Sequence, residues 1–149
     1  MVRWIEIGAR PSLHALASDQ LRQVSSSVLP RAAELAGHFP LRSGPNCFGA
    51  VMAAAGEPVE NEWVQLDEFQ GWLDRHARPT SQWDNSTAGL VLVWREHGQL
   101  AHAAVTIGGG WVMQKQSQAW CSPVAVCPAT EVIKSWRLPA VRLSRYDLI

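Results

Sequence analysis

Cys47 stands in the stretch Ser43-Gly44-Pro45-Asn46-Cys47-Phe48-Gly49, where a Gly-Pro break is followed at once by helix-forming residues that run to Ala55 and stop at Gly56. The pattern predicts a helix over residues 47–55 with the thiol in its first turn. Unpaired amide N–H groups and the positive end of the helix dipole favour a thiolate there, drawing a thiol from about pH 8.5 toward neutrality. A sulfur nucleophile also needs a group to take and return its proton, normally histidine, and a third polar group to hold the imidazole. His102, flanked by Ala101, Ala103 and Ala104, has small neighbours that leave room beside the ring for a thiol and a substrate. His14 and His76 fall in predicted helices and His97 in a turn, so His38, in the loop approaching Cys47, is the one serious rival.

The elements that must position these groups change character along the chain. Residues 11–38 are rich in Leu, Ala, Gln, Arg and Glu and are divided by Pro30, which predicts two helices: Leu13, Leu16, Leu21 and Val24 on one face, with Ser12 as cap, then Ala32, Ala33, Leu35 and Ala36. After the 47–55 helix, residues 63–76 carry Trp63, Leu66, Phe69, Trp72 and Leu73 along one stripe, a further helix facing the core. Residues 78–89 hold nearly every loop-forming residue type, and the run Leu90-Val91-Leu92-Val93-Trp94 then opens a β region. Residues 100–107 and 111–116 give two more strands across Gly108-Gly109-Gly110. Residues 131–137 and 140–145 read as strands separated by Pro139, for four or five in all. The expected fold class is α+β, one domain over 1–149, with a helical N-terminal extension over 1–43 and a core over 44–149.

Composition narrows the partners. Thirteen basic and thirteen acidic residues cancel, and there is no basic run, so neither nucleic acid nor an anionic membrane is an expected partner. Three cysteines, Cys47, Cys121 and Cys127, include no C-x-x-C pair, and the histidines have no metal-ligand spacing, which predicts no metal, no cofactor and no disulfide. Residues 1–8 carry charges without an apolar core of signal-peptide length, and no later segment reaches bilayer-spanning length, so the expectation is cytoplasmic. Export as an effector without an N-terminal signal stays open, and oligomeric state is not legible.

A helix-borne cysteine, then a β-meander with histidine opening its second strand, then a polar residue on the next strand, resembles the NlpC-type papain-like cysteine peptidase family. Asn46-Cys47-Phe48-Gly49 is similar to that family's Asp-Cys-Ser-Gly, with asparagine for the acid and phenylalanine for the serine. The stretch from His102 through Thr106-Ile107-Gly108 to Gln114 is similar to its His-Val-Gly-Ile-Tyr, Gly-rich turn and third polar residue. The resemblance spans roughly residue 44 to the C-terminus. It implies a nucleophile helix packed on an antiparallel meander, with Cys47 as nucleophile, His102 as base and Gln114 as the group that orients the imidazole.

Strand alternation tests the last of these roles. A three-residue Gly108-Gly109-Gly110 loop pairs Ile107 with Trp111, which puts His102, Gln114 and Gln116 on one face, with Gln116 a competitor for His102. A two-residue turn without a bulge would send Gln114 to the other face. Asn46 is a candidate second oxyanion donor beside the Cys47 N–H, and Trp83, Trp111 and Trp120 are candidate cleft walls. The expected activity is hydrolysis of a small peptide or amide through a thioester on Cys47. An amine acceptor in place of water would make the same site an acyltransferase or cyclase, and an idle site would leave a non-catalytic binding module.

Overall fold

The run Leu90–Trp94 is apolar at every position, and the strand it forms is buried on both sides. In a computed structural model that describes residues 12–149, this strand, β2 (Leu90–Glu96), lies inside a six-stranded antiparallel sheet. The others are β1 (Ala77–Thr80), β3 (Gln99–Gly108), β4 (Trp111–Gln114), β5 (Ala125–Pro128) and β6 (Val141–Leu148), in the order β1-β6-β2-β3-β4-β5. Helices cover both faces: α1 (Ser18–Ser25), α2 (Ala32–Leu35), α3 (Cys47–Ala54), α4 (Leu66–His76) and α5 (Ala129–Ser135). Val91, Val93, Ala103, Val105, Met113 and Val126 join the main core with α1 to α4. Leu90, Leu92, Trp94, Ala104 and Val112 form a second cluster with Ala129 and Val132 of α5.

The α+β class and the antiparallel meander follow the sequence pattern, and several details differ. The segment 131–137 is not a strand: α5 occupies Ala129–Ser135, started by Pro128 and burying Ala129 and Val132 at a helical spacing of three. Two short strands, β1 and β5, bring the sheet to six. Trp63 does not belong to the stripe of α4, which begins at Leu66, and its ring is exposed. The N-terminal helices are short, with Leu16 in a 3-10 turn (His14–Ala17) and exposed. Ser12 does not cap that turn; its Oγ accepts from the Val126 N–H at 3.0 Å, pinning the segment to β5. Residues 12–43 share one core with the sheet, because Ala17, Leu21, Val24, Leu29, Ala32 and Leu35 are buried in the main cluster. Residues 1–11, including the charged start read above, lie outside the described residues.

The hairpin β3–β4 closes differently from the expected three-residue loop yet keeps the same downstream register. Gly108 pairs with Trp111 across a turn of Gly109 and Gly110, at φ 64° and 85°. Ile107 is extruded as a bulge, so Thr106 pairs with Val112 and Val105 with Met113. A second irregularity leaves Ala101 unpaired between Leu100 and His102, immediately before His102 meets Trp94.

Candidate active site

Helix α3 is apolar on every side and all eight of its residues are buried, so it sits inside the protein against β3 and β4 rather than on the surface. Asn46 caps it: Oδ1 accepts from the Gly49 N–H at 3.0 Å, and Nδ2 donates to the Val64 carbonyl at 2.8 Å. Phe48 packs on Phe69 of α4 with ring centroids 4.8 Å apart. These contacts fix where the first turn points.

Three backbone N–H groups, those of Ala103, Phe48 and Cys47 itself, lie within electrostatic reach of the Cys47 thiol. They favour the thiolate, as does the ammonium of Lys115, but removal from water works against it more strongly and pushes the thiol up to about 11. The sequence expectation of a lowered thiol pKa thus meets the opposite balance in the folded protein. The helix terminus is present, but the thiol of a residue that is 9 % exposed loses more hydration than those dipoles return.

His102 is 3 % exposed and lies between two indoles. Its ring stacks on Trp136 with centroids 5.0 Å apart and planes 12° from parallel, and Trp94, opposite it on β2, is 5.5 Å away. Nε2 and the Gln114 Oε1 are 2.7 Å apart. Gln114 Nε2 points the other way, to Cys127 Sγ at 3.6 Å, so the amide oxygen is the end offered to the ring. An oxygen accepts only, so His102 carries its proton on Nε2 and keeps a lone pair on Nδ1. Burial lowers the His102 pKa and the Gln114 bond raises it in part, which leaves the imidazole neutral. Among the described residues Nδ1 has no hydrogen-bond partner, and none joins Cys47 to His102; the sulfur meets the next amide along the chain, that of Ala103.

The structure therefore brings His102 to Gln114 on the α5 face of the sheet but does not bring them to Cys47, which packs with α3 on the other face, because strand alternation turns His102 and Gln114 away from the side that Ala103, Val105 and Met113 share with α3. Gln116 is not a competitor: it lies past the end of β4 and is exposed. His38 lines a cavity between α2 and α3 with Asn46 and Lys115, and among the described residues no hydrogen bond joins it to Cys47. Trp83 is 77 % exposed among Asn85, Ile133, Lys134 and Arg145, away from Cys47. Trp111 stands at the opposite end of β4 from Gln114 and packs on the main core. Asn46 is held by the helix cap, Oδ1 on Gly49 and one of its two Nδ2–H groups on Val64, so its orientation is set by α3. Of the aromatic candidates, Trp120 is the one tied to the approach to Cys47. Its backbone N–H donates to Ser43 Oγ at 3.0 Å, and the Gly44 N–H donates to the Gln118 carbonyl at 2.8 Å.

Sequence reading passed over two participants. Cys127 holds the Gln114 amide, and its own thiol is pushed up to about 11 by burial. Lys115 follows Gln114, is buried, and faces the Cys47 side of the sheet; strand alternation from Gln114 is the signal in the sequence for that face.

No protein-family model, no curated protein and no solved structure matches this chain. Among the described residues no helix is long and apolar enough to cross a membrane, and no group of three or more His, Cys, Asp or Glu side chains converges as a metal site.

Proposed function

We propose that the chain is a non-catalytic binding module that keeps an NlpC-type, papain-like arrangement with an idle cysteine site. The observation that carries the reading is that the His102–Gln114 pair, in contact at 2.7 Å, stands with Trp94 and Trp136 on the α5 face of the sheet while Cys47 packs with α3 on the other face. The imidazole is fixed and neutral, but its free nitrogen, Nδ1, faces away from the thiol.

A second reading is hydrolysis of a small peptide or amide through a thioester on Cys47, or acyl transfer if an amine replaces water at the thioester. The place of Cys47 in the first turn of a helix favours it. It asks for a base at the thiol, a role that His102, across the sheet, does not fill in this arrangement.

The thiol pushed up to about 11 and the missing Cys47–His102 hydrogen bond agree with the idle site. Exposure to an acetyl thiophenyl ester, with intact-mass and peptide mapping, separates the two. The enzyme reading expects rapid acetylation at Cys47 that slows about a hundredfold or more in His102→Ala. Acetylation at the rate of an ordinary thiol, indifferent to His102, assigns the fold to binding.

A further inference from the structure

Lys115 is the one lysine, arginine, aspartate or glutamate that is buried among the described residues, at 2 % exposed. A buried ammonium is costly unless its three donors and its charge are answered. Two donors reach the backbone carbonyls of Ser117 and Ala119, the latter at 3.3 Å. Among the described residues no carboxylate pairs with it. The neighbouring Cys47 supplies no anion at neutral pH, since its thiol sits at about 11.

The same side chain lines a cavity of about 160 Å³ between α2 and α3. Leu35, Pro40, Leu41, Ala50, Ala53 and Val124 make its walls apolar. Of the other charged groups at the cavity, Arg31 holds both carboxylates, Glu34 at 2.9 Å and Glu60 at 2.8 Å, and neither pairs with Lys115. Cavities of about 150 Å³ accept a molecule the size of benzene, so the space suits six or seven non-hydrogen atoms.

We propose that this cavity is a binding site for a short aliphatic monocarboxylate, with the acid group on the third N–H of Lys115 and the chain against Leu35, Pro40 and Val124. An anion there supplies the countercharge that the protein leaves out, and apolar walls take the chain as they take any alkyl group. The site stands beside the Asn46 cap of α3, yet it does not require Cys47 to act as a nucleophile.

Calorimetric titration with pentanoate, and with pentanamide as the neutral isostere, tests the proposal in the parent protein, Lys115→Met, Leu41→Glu and Cys47→Ala. Saturable pentanoate binding is expected, about tenfold or more tighter than pentanamide, abolished in Lys115→Met and unchanged in Cys47→Ala. Leu41 is 85 % exposed at the rim, so Leu41→Glu should fold normally and weaken pentanoate by charge repulsion even if Lys115→Met proves unstable. Equal affinity for pentanamide, pentanoate binding that survives Lys115→Met or ignores Leu41→Glu, or no heat from pentanoate in the parent would each overturn it. Loss of thioester chemistry at Cys47 with pentanoate binding intact would sink the hydrolase reading alone.

Discussion

The Gln114 side chain bridges two residues that are 25 positions apart in sequence, giving its oxygen to His102 Nε2 at 2.7 Å and its nitrogen to Cys127 Sγ at 3.6 Å. A rotation of that amide would bring an N–H against an N–H, so Cys127 fixes which tautomer His102 adopts. Gln114→Glu replaces a neutral acceptor by a carboxylate and should raise the His102 pKa, whereas Gln114→Leu removes the one hydrogen bond that opposes burial and should lower it. NMR titration of the His102 ring protons reads both directions. No movement in either variant would mean that the contact does not exist in solution.

Reactivity of Cys47 in the resting protein should rise late on the pH axis. With the thiol pushed up to about 11, iodoacetamide alkylation mapped to Cys47 is expected to climb through pH 9 and beyond rather than level off near 8. Lys115→Met, which removes the one side-chain charge that favours the thiolate, should shift the midpoint higher still. A midpoint near 7 would show that the sulfur is far better hydrated or paired than its surroundings allow.

Acid should destabilise the fold through His102. Its folded pKa lies below the unfolded value of about 6.5, so the unfolded chain binds the proton first and stability falls as pH drops from about 6.5 toward the folded pKa. Thermal melts from pH 8 to pH 5 should show a declining Tm, with a shallower decline in His102→Gln. An identical slope in both proteins would assign the acid sensitivity elsewhere.

Glu60 contributes in a lower window. Its hydrogen bond to Arg31, assisted by its own backbone N–H, holds its carboxyl down at about 2. That stabilisation is complete above the unfolded value of about 4.3 and disappears as pH falls through about 2. Urea midpoints measured between pH 5 and pH 2.5 should converge for the parent and Glu60→Gln, and a gap that widens toward acid would contradict the pairing.

Asn46→Ala removes a helix cap and a bond to the Val64 carbonyl in one substitution. A cost of about 2 kcal/mol in urea unfolding is expected, the upper part of the range for a capping side chain, because the Val64 partner is buried as well. Asn46→Asp keeps the acceptor for Gly49 and loses only the donor, so it should recover roughly half of that loss. Equal losses in both variants would place the whole effect on Val64.

The residues that face one another in the β-meander could be read from alternation alone, since Ala104, Val112 and Gln114 share a face whether the turn has three residues or two with a bulge at Ile107. The start of α3 was equally legible, because Gly44-Pro45-Asn46 offers a break and a cap in sequence. Burial was not. The desolvation that lowers His102 comes from Trp94 and Trp136, and that which raises Cys47 from the main core around α3, contacts made by residues distant in the chain. The sequence of α5 was misread as a strand because Val132 and Ile133 are β-branched, and the cluster beneath Ala129 and Val132 overrides that preference.

Strand β6, the last of the six along the chain, lies between β1 and β2, where it bonds Ala77–Thr80 on one edge and Leu90–Glu96 on the other. During synthesis β2, β3 and β4 leave the ribosome before it, with the apolar edge of β2 unpaired until residues 141–148 emerge. The His102–Gln114 pair can form in that incomplete sheet, but its Trp94 shield cannot be anchored until Leu143 arrives opposite. The sheet therefore closes only once residues 141–148 have been made, and a ribosome stalled before residue 141 would hold an edge open to any extended chain nearby.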